Sequence, residues 1–272
     1  MTGGNIMTTS ISFSGKVALV TGSARGIGKG IAQVLMGLGA TVYVNSRDPM
    51  NCETTSADLN RKGSPGTCYP VAADVSQRDQ VESMVDRIIK EKGQIDFLVN
   101  NAGITSRKGL FDITDEHWEA VLNINLRGTF LCTQIVARHM VKRRFGRIVN
   151  VSSLAAFIPA IERAVYAAAK AGIIAVTKVW AGELAPYGIN VNVCAPGDIQ
   201  TEMIADTRAI LGDEYMTRNI ALKRFGTPEE VGKLVAFLVS PWADYLTGIL
   251  VPITGGKFLV QNPADAWKKA NL

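Results

Sequence analysis

Short apolar runs alternate along this chain with longer segments in which apolar residues recur every three or four positions. Val17–Val20, Thr41–Val44, Cys68–Val71, Phe97–Asn100, Arg147–Val151, Asn190–Cys194 and Ile249–Ile253 read as buried strands rich in β-branched residues. Ile27–Leu38, Cys52–Lys62, Gln80–Lys92, Trp118–Lys142, Tyr166–Leu184 and Pro228–Leu238 read as the helices between them. That alternation predicts an α/β fold with a doubly wound parallel sheet. No repeat, low-complexity tract or Pro/Gly/Ser linker divides it, so residues 13–256 are expected to form a single domain behind a flexible lead-in, 1–12. Residues 198–222 interrupt the alternation with a helix-rich insertion. Residues 257–272 trail past the last strand, and their apolar Phe258, Leu259, Val260 and Trp267 need cover on this subunit or on a neighbour.

The first predicted strand runs into Thr21-Gly22-Ser23-Ala24-Arg25-Gly26-Ile27-Gly28 and then into an apolar-periodic helix. Strand, glycine turn and helix start together make an anion site, because unpaired backbone N–H groups and the helix dipole converge there. The spacing is GxxxGxG, not the commoner GxGxxG.

Further on, Tyr166-Ala167-Ala168-Ala169-Lys170 combines strong helix formers with a spacing that puts phenol and ammonium on one helix face. A cation about 4 Å away at an effective dielectric near 20 favours the phenolate by roughly 4 kcal/mol. The expectation is a tyrosine pKa lowered from ~10 toward neutrality, where a general acid/base works best.

With Asn100-Asn101-Ala102-Gly103, the segment opened by Asn125, Ser153 thirteen positions before Tyr166, and Pro196-Gly197-Asp198-Ile199-Gln200-Thr201, these pieces resemble the short-chain dehydrogenase/reductase family. The resemblance extends from about Phe13 to Gly256. It implies a Rossmann-type seven-stranded sheet in the order 3-2-1-4-5-6-7, with ligands at the carboxyl ends of the strands. It also implies a catalytic tetrad: Tyr166 as proton donor or acceptor, Ser153 bonded to the same substrate oxygen, Lys170 lowering the tyrosine pKa and holding the nicotinamide ribose, and Asn125 holding a relay water. Gly22, Ser23, Arg25, Gly26, Ile27, Gly28, Asn101, Ala102, Gly103, Ile199 and Thr201 are expected to line the cofactor, with Asp74 and Val75 beside its adenine. Residues 198–222 become a mobile lid, and the helices bearing Asn125 and Tyr166 become the interfaces of a homotetramer.

The cofactor choice rests on Val44-Asn45-Ser46-Arg47-Asp48-Pro49. A ribose-binding acid is expected roughly 20 residues past the glycines, where counting selects Asp48. Asp before Pro is instead a helix-start signal, which leaves Ser46 and Arg47 facing the ribose. Hydroxyl and guanidinium suit a 2′-phosphate, and Arg25 adds positive charge, so NADP is expected over NAD.

Composition narrows the remaining possibilities. Cys52, Cys68, Cys132 and Cys194 are far apart with no CxxC, as befits free thiols in a reducing compartment, and a cytoplasmic location is expected. His117 and His139 form no zinc ligand set. The net charge of +5 is modest, and its densest patch, 142–147, suits a helix C-terminus better than a nucleic acid. No apolar run reaches the ~18–20 residues of a membrane span. The apolar segment 154–161 and the lid methionines point to a hydrophobic ketone or secondary alcohol. A 3-oxoacyl-carrier-protein reductase is a competing reading in which Arg144 would meet the acidic carrier, although Tyr187 stands where a second basic residue is usual. Two further readings stay open: a sugar or polyol dehydrogenase using Glu162 and Arg163, and an NADP-sensing protein without turnover.

Overall fold

A computed structural model describes residues 10–105, 107–259, 262–263 and 265–267. Residues 1–9 of the lead-in, Val260 and the last five residues of the tail lie outside this set. The chain runs through β1 (Val17–Val20), α1 (Gly26–Gly37), β2 (Thr41–Ser46), α2 (Pro49–Asn60), β3 (Thr67–Ala72), α3 (Arg78–Lys92) and β4 (Phe97–Asn100). It continues through α4 (Asp115–Leu122), α5 (Gly128–Arg143), β5 (Gly146–Val151), α6 (Ala164–Leu184) and β6 (Ile189–Pro196). Two short helices, α7 (Ala205–Leu211) and α8 (Asp213–Thr217), and then α9 (Pro228–Val239) precede β7 (Leu250–Ile253). The seven strands pair in parallel in the order β3-β2-β1-β4-β5-β6-β7. This is the expected Rossmann-type sheet.

Parallel strands covered on both faces are near-continuous apolar runs, and β1 shows why. Ala18 and Val20 face a core shared with Ile31, Leu35 and Met36 of α1 and Val231 and Val235 of α9. Val17 and Leu19 face the opposite core, with Val81, Val85 and Ile88 of α3 and Leu131, Ile135 and Met140 of α5. Trp180 and Leu184 of α6 pack against that second core.

Polar groups cross this second layer in a chain. Asn100 Nδ2 on β4 donates to Thr133 Oγ1 on α5 at 2.9 Å and to Asn150 Oδ1 on β5 at 2.8 Å. Asn150 Nδ2 donates to Thr177 Oγ1 on α6 at 2.9 Å. Buried polar groups need such partners, and these fix α5 and α6 on the sheet.

The long helix expected over Trp118–Lys142 is two α-helices joined by a π turn, Asn123–Arg127. The widened turn carries Asn125 at its centre, a placement typical of functional sites. Helix α2 begins at Pro49, three residues before the expected Cys52, because Asp48 caps it: Oδ1 accepts from Met50 N at 2.9 Å.

The described part of the tail docks on its own subunit. Trp267 Nε1 donates to Ala221 O at 2.8 Å, and Leu222 N donates to Gly255 O at 3.0 Å. All four cysteines are buried and unpaired. By length and composition alone Ala164–Tyr187 could cross a membrane, although Lys170, Lys178 and Glu183 interrupt it, so its uninterrupted apolar runs stay short. Its run of alanine, isoleucine and valine serves contact with the sheet and leaves part of its surface outward: Lys170 and Ile173 are buried, whereas Val179 is exposed.

Candidate active site

The glycine turn is braced from three strands. Thr21 Oγ1 accepts from Asn101 N and Ala102 N, both at 3.0 Å, and Asn101 Nδ2 donates to Thr21 O and Gly22 O, also at 3.0 Å. Gly22 N donates to Asn45 Oδ1 at 3.3 Å. A Cβ on Gly28 would lie 2.4 Å from Gly22 O, so the helix start and the strand end come together only through glycine. No side chain caps α1, which leaves its first N–H groups free to meet an anion.

This bracing corrects the expectation for Ser23. Its hydroxyl donates to Val20 O at 2.6 Å and accepts from Asn45 N at 3.0 Å, and the residue is fully buried. Its side chain stitches β1 to β2 and has no face for a cofactor. The Nδ2 of Asn101 is likewise engaged by the turn. Asn45 is the residue that sequence reasoning missed, and a lone asparagine in a valine-rich strand was the signal for it.

Around the turn stand the other expected cofactor residues. Ser46 is half-buried and Arg47 exposed at the carboxyl end of β2. Both Asp48 oxygens are engaged locally, Oδ2 accepting from Asn51 Nδ2 at 2.7 Å. Asp74 is half-buried after β3, its Oδ1 accepting from Ser76 N and Ser76 Oγ. Val75 is buried close to Gly128 at the start of α5. Thr201 lies over Gly26, 3.6 Å from where a Cβ would be, while Ile199 is buried in a bridge to Gly226. Arg25 and Glu202 pair at 3.5 Å, both exposed.

The expected tetrad gathers beyond the ends of β4 and β5. Gly103 comes so near that a Cβ on it would lie 2.5 Å from Asn125 Oδ1 and 3.5 Å from Lys170 Nζ. Asn125 Nδ2 donates to Ile104 O at 3.0 Å and Val121 O at 2.9 Å, whereas its Oδ1 is buried without a partner. Ser153 Oγ accepts from Ala155 N at 3.1 Å, turning the chain after β5. Lys170 Nζ donates to Val151 O at 2.9 Å and lies 5.7 Å from the centre of the Tyr166 ring.

The electrostatics differ from the expected lowered phenol. Burial pushes the Tyr166 pKa up, and the Ser153 hydroxyl and the Arg163 charge only partly oppose it. Lys170 does not lower it in this arrangement: the ammonium turns to a backbone carbonyl, and burial depresses its own pKa to about 8. A uniform-dielectric Coulomb estimate leaves out this desolvation.

Residues 16–211 match the model of the family described as short chain dehydrogenase. The chain is 42% identical over 242 residues to a 3-oxoacyl-[acyl-carrier-protein] reductase of Thermotoga maritima, covering 89% of this chain and 97% of that one. A putative gluconate dehydrogenase from Agrobacterium tumefaciens superposes with a TM-score of 0.86 at 32% identity, covering 92% of this chain and 98% of that chain. A 3-oxoacyl-[acyl-carrier protein] reductase from Brucella melitensis, solved with bound NAD, gives 0.83 at 34% identity, with 92% and 93% covered.

The buried ammonium gives a stability prediction. The gap between about 8 in the fold and 10.5 when free corresponds to roughly 3 kcal/mol of destabilisation below pH 8. Between pH 8 and 10.5 the unfolded lysine keeps its proton and the folded one loses it, so stability rises through that window. Lys170→Met is expected to be more stable than the parent by about 1–3 kcal/mol at pH 7, the lost bond to Val151 O offsetting part of the gain. The difference should shrink toward pH 10.5, as read by urea unfolding across pH; a variant less stable at pH 7 contradicts it.

Proposed function

This chain belongs to the short-chain dehydrogenase family and is an oxidoreductase, and we propose that it interconverts ketones and secondary alcohols with NADP(H), using Tyr166 as the general acid/base. The observation that carries the reading is the convergence of Ser153, Tyr166 and Lys170 with the buried, unpartnered Asn125 Oδ1 and the braced glycine turn. The uncapped helix and glycine cradle fit a dinucleotide, which Gly22, Gly26, Ile27, Gly28, Ala102, Gly103, Ile199 and Thr201 would hold. When bound, the nicotinamide supplies or accepts the hydride.

The side chains supply the rest. A phenol raised by burial holds its proton at neutral pH and donates it to a carbonyl oxygen in reduction. Ser153 hydrogen-bonds that oxygen and steadies the charge developing there. Lys170, poised near pH 8, returns a proton to the phenol, and the free lone pairs of Asn125 Oδ1 hold a water between them and the solvent. The apolar substrate is supported by Phe157, Ile158 and Ile161, exposed on the loop before α6, and by exposed Leu110 and Phe111 on the loop after β4. Residues 198–222 act as the lid, and the contact of the tail's Trp267 with Ala221 ties its movement to the carboxyl-terminal segment.

A second reading, reduction of a 3-oxoacyl group on a carrier protein, is favoured by the activities named for the Thermotoga and Brucella proteins. Arg144 tells against carrier docking, because its guanidinium donates to Pro186 O at 2.7 Å beside Tyr187. A polyol substrate gains support from the Agrobacterium neighbour's name. An NADP sensor is distinguished by lack of turnover. Exposed Trp118, Phe130 and Val179 on α4, α5 and α6 support pairing of these helices in a homotetramer, and a cytoplasmic location goes with the reading.

Tyr166→Phe is expected to abolish NADPH oxidation across a ketone panel, with the loss in kcat and cofactor binding nearly intact, and wild-type kcat would remove Tyr166 from the chemistry. A protein that binds NADPH but turns over no ketone or thioester would instead be a sensor. The Arg47 and Ser46 contacts to a 2′-phosphate are worth about 1.5–3 kcal/mol, or roughly a 10- to 150-fold preference for NADP in kcat/KM. Arg47→Ala should erase most of it through KM, and an unchanged NADP/NAD ratio excludes the role. Sedimentation at micromolar concentration should give a tetramer, and a monomer would rule the interface out.

A further inference from the structure

Among the described residues, five buried side-chain polar atoms have no hydrogen-bond partner: Ser56 Oγ, Asn100 Oδ1, Thr105 Oγ1, Asn125 Oδ1 and Arg163 Nε. Arg163 alone of these carries a full charge. Arg163 is half-buried with its Nε covered, a guanidinium N–H buried without an acceptor is costly, and the tetrad chemistry above does not use it.

Its surroundings deepen the anomaly. Arg163 stands immediately before α6, three residues ahead of Tyr166, and its charge acts on that phenol. A second cation approaches from the loop after β4. The Lys108 N–H donates to Glu162 O at 2.9 Å, and those two residues adjoin Arg107 and Arg163, so one hydrogen bond holds the arginine-bearing loops together. Arg107 repels the Arg163 charge, an effect that adds to burial. The carboxylate of Asp198 also reaches Arg163 electrostatically, but Lys257 already pairs with it. Glu162 has φ of 68°, a left-handed backbone that non-glycine residues seldom adopt and that gathers at ligand sites.

Two arginines on stapled loops, one with a buried and unmatched N–H, form a receptor for an oxyanion, since guanidinium binds carboxylate through paired, charge-assisted hydrogen bonds. We propose that Arg163, assisted by Arg107, binds a carboxylate on the substrate close to the carbon served by Tyr166, so that the preferred substrates are oxo acids and hydroxy acids with the rest of the molecule toward the apolar loops. This assignment rests on the oxidoreductase reading and narrows its substrate class. It also separates free acids from thioesters, which carry no charge at that position.

Matched pairs test it in the wild-type protein with NADP(H): 3-oxobutanoate and 3-oxohexanoate against their methyl esters, and gluconate against glucitol. At least one acid is expected to exceed its neutral partner tenfold or more in kcat/KM. Arg163→Gln should lower the acid's kcat/KM by about 10- to 100-fold, mostly through KM, the size of one charge-assisted contact, and lower the neutral partner's by much less, through the lost charge near the Tyr166 phenol. Arg163→Lys should restore part of the preference, and melting curves of both variants show that they fold. Equal turnover of acid and neutral partner, or an equal loss of both in Arg163→Gln, overturns the carboxylate assignment while the oxidoreductase reading stands. NADPH binding without turnover of any pair sinks that reading and the assignment with it.

Discussion

A lysine ammonium held inside the protein is the constraint around which the site is arranged. Lys170 is 4% exposed, and a charge so placed needs oxygen partners from the backbone that surrounds it. Val151 O, at the carboxyl end of β5, accepts from Nζ, and Ser152 Oγ donates to Lys170 O at 2.7 Å, locking the helix turn to the strand end. The thiol of Cys194, on the neighbouring strand, is pushed up to about 12 by burial and stays neutral, so it does not balance the ammonium. The lysine is therefore stabilised by dipoles and not by a counter-ion. That arrangement favours loss of its proton near neutrality, a property unsuited to a structural ion pair and suited to a group that must both hold and release a proton.

Holding that lysine requires α6 to sit at one height on the sheet, and the polar chain through Asn100 and Asn150 sets that height. Thr177 lies seven residues, about two turns, beyond Lys170 on the same helix. Its bond to Asn150 anchors α6 where Lys170 meets Val151, and the Thr133 bond to Asn100 does the same for α5 behind Asn125. The π turn then alters the helix only where Asn125 must face Gly103. Asn125, Tyr166 and Lys170 sit on helices and Ser153 just past the end of β5, whereas the apolar residues proposed to meet the substrate sit on loops, an arrangement suited to keeping chemistry while specificity changes.

The sheet was readable because buried parallel strands are continuous apolar runs, and every strand boundary lay within two residues of the expectation. The cap at Asp48 was readable too, since Asp-Pro carries its own local physics. What escaped was three-dimensional competition for atoms. Resemblance assigned Ser23 to the cofactor by position, yet its hydroxyl has one proton and lone pairs that β1 and β2 already use. The π turn left no mark because its apolar residues keep the helical period on either side. The phenol was misjudged because a four-residue spacing gives a shared face but neither a side-chain torsion nor a desolvation energy; the ammonium found a carbonyl and the ring found burial.

Charge at the mouth of the site follows from the same competition for partners. Three carboxylates of the segments between β6 and α9 have partners: Asp198 with Lys257, Glu202 with Arg25, Glu230 with Arg224. Arg47 and Arg163 lie on opposite sides of the glycine turn, one at the end of β2 and the other before α6. Among the described residues, neither Arg47 nor Arg163 takes part in an ion pair of this kind. In the proposed reading a dinucleotide carrying a 2′-phosphate would satisfy the first of these arginines only. On the assignment proposed above, the second meets a carboxylate beside the reacting carbon, and an uncharged substrate would leave the buried Nε–H of Arg163 without an acceptor. The cost of that orphaned donor, on the order of 1–3 kcal/mol, is what converts a general mechanism into a discriminating one.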